Sequence, residues 1–286
     1  MNSQIKQRIE SVISNLDQLP SIPTVATKII TMVNNPDVSF KIVAEEISKD
    51  QVITTNVLKL CNSAYFSCGK EITSIERAII TLGIKEVKDI VIIASTKTVL
   101  NKSILGYDLA KGDLWKHGIA VAVLSKKIAL LKKRKDIADI AFTGGIIHDV
   151  GKTVIALYVQ NTFNEILTLV DTEKITFNLA EKEIMGFDHQ EVGEKILSKW
   201  NFPEVLKAIV MYHHNPDDAP DDFKKIVSVI HVANTLCLMA GIGIGNDGLY
   251  HELSSSALQQ LNLNDSDIEM LYSDIPDIVD VSIQIA

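Results

Sequence analysis

Val52-Ile53-Thr54-Thr55-Asn56-Val57-Leu58-Lys59-Leu60 is the stretch on which the fold class turns. On propensity alone its β-branched residues read as a strand. Its surroundings decide for a helix, because every neighbouring segment is helical in pattern and no second strand-like run is there to pair with it. Toward the N-terminus, Asp50 precedes the stretch, and Ser39 opens a helix carrying Ile42, Val43 and Ile47. Before that, Pro23 suits the first turn of a helix through Ile29, Ile30 and Val33 that stops at Asn34-Asn35-Pro36. Residues 4–19 form a short amphipathic helix on Ile5, Ile9, Val12, Ile13 and Leu16, ended by Leu19-Pro20-Ser21-Ile22-Pro23. Toward the C-terminus, Asn62-Ser63-Ala64 closes the run, a Thr73 or Ser74 cap starts the next helix, and Gly83 separates it from Ile84–Val99. Asp50, Asn62 and Ser63 are the conspicuous polar residues of this half, and they read as caps and turn formers.

Composition agrees with a helical chain. Of the seven prolines, none lies between Asp37 and Phe202, which suits long helices. With 286 residues and 47% apolar content the chain can bury one sizeable core or two smaller ones. A net charge of −8 argues against a nucleic-acid partner, whose footprint would be basic. The six basic residues Lys126, Lys127, Lys132, Lys133, Arg134 and Lys135 close one helix and precede another, so they read as a solvated face suited to the helix dipole. Cys61, Cys68 and Cys237 lack CxxC spacing and fit a reducing cytoplasm. No signal core and no apolar run of about 18 residues is present, so no membrane association is expected.

Beyond a connector at Asn101–Ala110, helices carry His117, then Gly144-Gly145-Ile146-Ile147-His148-Asp149-Val150-Gly151-Lys152, then His189, and then Tyr212-His213-His214 before Pro216. A His-Asp pair inside an apolar run must be bonded to something, since burying either group alone costs several kcal/mol. All seven histidines lie after residue 100, and a metal centre is the simplest single account of their placing. Imidazole nitrogen with carboxylate oxygen suits Fe, Mn, Ni, Co or Zn. Of the adjacent His213 and His214, only one is expected to reach a shared site, while His231 and His251 read as hydrogen-bonded helix residues. Gly241-Ile242-Gly243-Ile244-Gly245 lacks the context of a dinucleotide fingerprint and reads as a flexible exit from a helix. Asn264 or Asp265 caps the closing helices.

His117, His148-Asp149-Val150-Gly151-Lys152, His189-Gln190-Glu191-Val192-Gly193 and His213-His214 resemble the ordered motifs of the HD superfamily of metal-dependent phosphohydrolases. More narrowly, Leu19-Pro20-Ser21-Ile22-Pro23, Asp50, Leu60-Cys61-Asn62-Ser63-Ala64-Tyr65-Phe66, Ile75-Glu76-Arg77-Ala78-Ile79, Trp200-Asn201-Phe202-Pro203 and Tyr212-His213-His214 resemble the HDOD family. The resemblance implies a bacterial, cytoplasmic, all-α protein: a multi-helical HD-like bundle, residues 105–286, packed with an N-terminal helical subdomain, residues 1–104. It implies one or two ions on His117, His148, Asp149, His189 and His213, with Asp149 and Lys152 as the residues for catalysis. Lys152, one helical turn beyond His148, is expected near a substrate phosphate. Asp113, a turn before His117, could reach the same centre. Where the simple HD pattern has a last Asp, this chain has Asn234, which can neither carry the charge nor act as a base. No Gly-Tyr-Pro signature follows His214-Asn215-Pro216, so hydrolysis of cyclic di-GMP is not expected. The expected function is a signalling module that acts through an unidentified signalling protein. It would retain its metal without efficient catalysis and could take a small phosphate-containing ligand. The alternative is an active phosphodiesterase or phosphohydrolase.

Overall fold

The computed structural model of the chain describes residues 24–33, 35, 37–243 and 245–285. The helix expected at 4–19, its stop at 19–23, and Asn34 and Pro36 of the following turn lie outside these residues. The fold is all-α. Among the described residues there is no strand, and the only strand-like pairing is an isolated bridge between Ile104 and Leu109.

The deciding stretch is helical. We name α1 (Thr24–Val33), α2 (Phe40–Ser48), α3 (Gln51–Cys61), α4 (Ile75–Leu82) and α5 (Ile84–Leu100). Five β-branched residues in α3 cost about 0.5 kcal/mol each in helix propensity. Against this, Ile53, Val57 and Cys61 fall at four-residue spacing and are buried, the two aliphatic ones contributing about 2 kcal/mol each. Asp50 adds a cap, its carboxylate accepting from the backbone N–H of Val52 and of Ile53. Asn62 caps the other end and ties it to Ile72, donating to its carbonyl and accepting from its N–H. Ser63 returns its hydroxyl to the Leu60 carbonyl, and Ser74 caps α4 at Arg77. Every residue from Val87 to Thr96 on α5 is buried, so that helix has no solvent side over nearly three turns.

The remaining helices are α6 (Asp113–Leu131), α7 (Lys135–Ile147), α8 (Lys152–Glu173), α9 (Phe177–Met185), α10 (His189–Lys199), α11 (Glu204–Tyr212), α12 (Asp221–Met239), α13 (Ser255–Leu261), α14 (Asp265–Ser273) and α15 (Ile275–Ile285). The central helix α6 packs on α7, α12 and α15, while α5 joins the first five helices to α7. One continuous apolar core runs from Val25 to Ile278. No helix among the described residues is long and apolar enough to cross a membrane.

Three details differ from expectation. The basic run is less a solvated face than a set of clasps. Lys126 binds Glu86 and Asp89 on α5, Lys127 binds Asp274, and Lys132 binds Asp267 and the Asn262 carbonyl. Arg134 pairs with Asp136. The connector at 101–110 is a wedge, with Tyr107 fully buried. The glycine-rich exit after α12 is tightly seated: a Cβ on Gly243 would come within 2.4 Å of the Asp113 carbonyl oxygen.

Candidate metal centre

The polar centre forms where α7 ends and α8 begins. His148 through Gly151 make a turn, and Lys152 is the first residue of α8, so the lysine is not a continuation of the helix before His148. Gly151 permits the crossing, because a Cβ there would stand 1.8 Å from the His189 carbonyl oxygen. That contact sets the start of α10 against the start of α8. The capping box of Asp188 and Glu191 then fixes where α10 begins, and with it His189.

Five histidines and Asp149 converge. His117, His148 and Asp149 present ligand-type atoms within 4.8 Å of one another, and so do Asp149, His189, His213 and His214, with Asp149 common to both groups. Nε2 of His148 lies 3.3 Å from Oδ2 of Asp149, and that of His117 lies 3.8 Å from it. Nε2 of His189 and of His213 each lie 3.5 Å from Oδ1.

The outward ring nitrogens explain the aim. Nδ1 of His117 meets the Ile242 carbonyl at 2.9 Å, His148 that of Gly145 at 2.8 Å, and His213 that of Val210 at 2.9 Å. A carbonyl only accepts, so each of these rings carries its proton on Nδ1 and turns a bare Nε2 inward. His189 donates Nδ1–H to Oε2 of Glu181 at 2.8 Å, and Glu181 also accepts from the His189 backbone N–H and from the Tyr107 hydroxyl. A carboxylate or carbonyl behind these four imidazoles is the arrangement that orients metal-binding histidines.

Inside, lone pairs face a carboxylate. His148 Nε2, His213 Nε2 and Asp149 Oδ1 are buried without a hydrogen-bond partner. Three acceptors left bare in a buried centre cost roughly 1–3 kcal/mol each unless a cation collects them. Burial, then the neighbouring His148, lowers His117 to about 4, and burial lowers His213 to about 3. Neither ring therefore supplies that cation by protonation at neutral pH. Burial would raise Asp149, but the cationic surroundings, the buried Lys152 ammonium among them, outweigh it and hold the carboxyl well below its usual range. The mixed nitrogen and oxygen donor set suits a metal ion, and Asp149 is common to both groups.

The remaining expectations divide. Both His213 and His214 reach the centre, correcting the expectation of one. The helix ends at Tyr212, the chain bends, and the two rings lie 4.2 Å apart on the same side. Asp113 does not join, since its carboxylate caps the Ala110 N–H and pairs with Lys116. Asn234 does, its Oδ1 2.9 Å from Nε2 of His117. Lys152 is buried and binds Oδ2 of Asp149 at 2.6 Å. His231 is structural, bridging the His213 carbonyl and the Ser254 N–H. His251 lies at the margin, stacked on His214 with ring centroids 5.1 Å apart. Sequence reasoning missed Tyr107, Glu181 and Asp247.

The HDOD domain family matches residues 19–216. Among solved structures, the chain is similar to an HDOD domain protein of unknown function from Geobacter sulfurreducens, at 26% identity over 99% of each chain with TM-score 0.79. It is also similar to a candidate phosphohydrolase from Shewanella amazonensis SB2B, at 26% identity over 96% of this chain and 98% of that one, TM-score 0.70. An uncharacterized protein of Treponema pallidum (strain Nichols) is 24% identical over 236 residues, 82% of this chain. The chain spans 45% of that relative's length.

Proposed function

This chain belongs to the HDOD family, and we propose that it is a regulatory module whose His/Asp centre holds one or two divalent transition ions without efficient turnover. His117, His148 and Asp149 would hold one ion, and Asp149, His189, His213 and His214 the other. Such an ion acts as a Lewis acid and lowers the pKa of bound water. The protein's own part is to orient: Glu181 fixes His189, and three backbone carbonyls fix His117, His148 and His213.

Asn234 carries the reading. A carboxylate at that position could only add negative charge and accept. The amide can turn its NH2 to the His117 lone pair when no ion holds it, or present Oδ1 when one does, and it cannot take a proton from water. Such a residue favours occupancy that can change over one committed to chemistry. The N-terminal part, residues 1–104, is the proposed face for a signalling protein. It bears an open groove of about 890 Å³ between α3 and the 67–73 loop, lined by Thr55, Lys59, Asn62, Lys70 and Ile72. Metal occupancy would reach it through the contacts of α5 with α7, provided partner and metal prefer the same arrangement.

The alternative, a working phosphodiesterase or phosphohydrolase, draws on the converging His117, His148, Asp149, His189 and His213, the buried Lys152 and the likeness to the Shewanella protein. Elemental analysis of the purified protein, with hydrolysis of bis(p-nitrophenyl) phosphate by wild type and Asn234→Asp, separates the two. The regulatory reading expects bound metal, negligible hydrolysis, and a gain of at least about tenfold in the variant, or about 1.4 kcal/mol of barrier. Fast hydrolysis by wild type with no gain in Asn234→Asp would establish the enzyme instead.

A further inference from the structure

Lys152 is buried beside the His/Asp centre, and its ammonium is engaged. It binds Oδ2 of Asp149 at 2.6 Å and Oδ2 of Asp247, and it lies 5.7 Å from the centroid of the Tyr107 ring. Asp247 comes from the short 3-10 turn Asn246–Gly248 after α12 and is 5% exposed.

The turn is held so as to deliver this carboxylate. Oδ1 of Asp247 accepts from the Gly245 N–H at 3.2 Å, and its carbonyl meets Nε2 of His251 at 2.8 Å. His251 in turn stacks on His214. Gly245 lies against Tyr107, where a Cβ would stand 1.8 Å from the carbonyl oxygen. Asp247 brings a further carboxylate to a buried centre that already contains Asp149 and Glu181, and such a charge is costly without a partner. The full cation it meets is Lys152.

We propose that Asp247 is an internal oxyanion, a built-in competitor that occupies the anion position on Lys152 until a phosphate-bearing ligand displaces it. The proposal rests on the second reading above, in which the centre takes a phosphoester with Lys152 beside it. It deepens that reading by naming what sets the threshold. Displacing Asp247 also releases the His251 bond and the stack on His214. The exposed Leu249 and Tyr250, two and three residues on, then change position with ligand occupancy. A ligand bound in a buried centre thereby alters a solvent-facing surface.

The test is calorimetric titration of the full chain with inorganic phosphate, alongside metal content by mass spectrometry. Asp247→Asn keeps the shape and removes the charge, and it should tighten phosphate binding about tenfold or more, since a like charge no longer competes. Lys152→Met in the Asp247→Asn background should abolish the gain. Hydrogen exchange on wild type provides a second measurement should Asp247→Asn not fold: saturating phosphate should speed exchange at residues 246–251. Binding no tighter in Asp247→Asn, a gain that survives Lys152→Met, or unchanged or slower exchange at 246–251 would each overturn the proposal. A wild type without metal, with the Asp247→Asn gain intact, fails the metal reading and leaves Asp247 standing.

Discussion

Asp50 and Asp149 are both carboxylates beside helix junctions, and they are used in opposite ways. Asp50 gives one oxygen to two backbone N–H groups at the start of α3. Around it Asn62, Ser63 and Ser74 likewise spend their polar atoms on backbone groups that a helix end leaves orphaned. Around Asp149 the backbone takes only the outward nitrogens of three histidines, and Oδ1 of the acid is left bare. Polar residues that close their bonds locally build structure. Those that close half of them and aim the rest at one point build a site.

Four measurements test that contrast. The largest effect is expected for Gly151→Ala. Its methyl group would collide with the His189 carbonyl, so it should cost about 3 kcal/mol in denaturant unfolding and abolish metal retention together. Retained metal in a folded Gly151→Ala protein would show that the α8 and α10 starts need not touch. Glu181→Gln comes next. With His189 less firmly oriented, metal affinity by chelator competition should drop about 10–100-fold with the fold intact.

The third is a pH dependence in chelator-treated protein. His213 is depressed by burial to about 3, against 6.5 for an ordinary histidine, so the unfolded chain takes up the proton first. Its contribution to stability is complete above pH 6.5 and is lost as pH falls from there toward 3. The stability advantage of wild type over His213→Gln should therefore shrink on acidification through that window. A constant difference would mean that His213 is not kept neutral. The smallest effect belongs to the other region: Asp50→Ala should cost about 1 kcal/mol by loss of a cap and leave metal content unchanged.

Much of this was legible in the sequence. The helical reading of Val52–Leu60 rested on its neighbours, and Ile53, Val57 and Cys61 show why that was sound: burial at four-residue spacing outweighs propensity. The convergence of His117, His148, Asp149, His189 and His213 was legible because few residue types do this chemistry and they came in a recognisable order. Glu181 was not. It stands in a Glu-Lys-Glu run that looks solvated, and only its place four residues after the buried Phe177 marks it as inward-facing. Asp247 follows a glycine-rich segment and meets a lysine 95 residues away, a pairing no periodicity announces. Tyr107 was hidden by its setting, since a loop gives no stripe from which to infer burial.

The all-round burial of α5 has a consequence for how this chain can be cut. The link from Asn101 to Lys111 exposes Lys102, Leu105 and Lys111, where trypsin could sever Lys102 and Lys111 without entering a helix. The two pieces would not part. The N-terminal piece would keep α5, whose burial depends in part on α7 across the cut, and separation would bare an apolar helix to water. Nicked protein should thus migrate as one species until denatured. Two separately expressed pieces should find each other as a split protein does, with the joint in the packing rather than in the peptide bond.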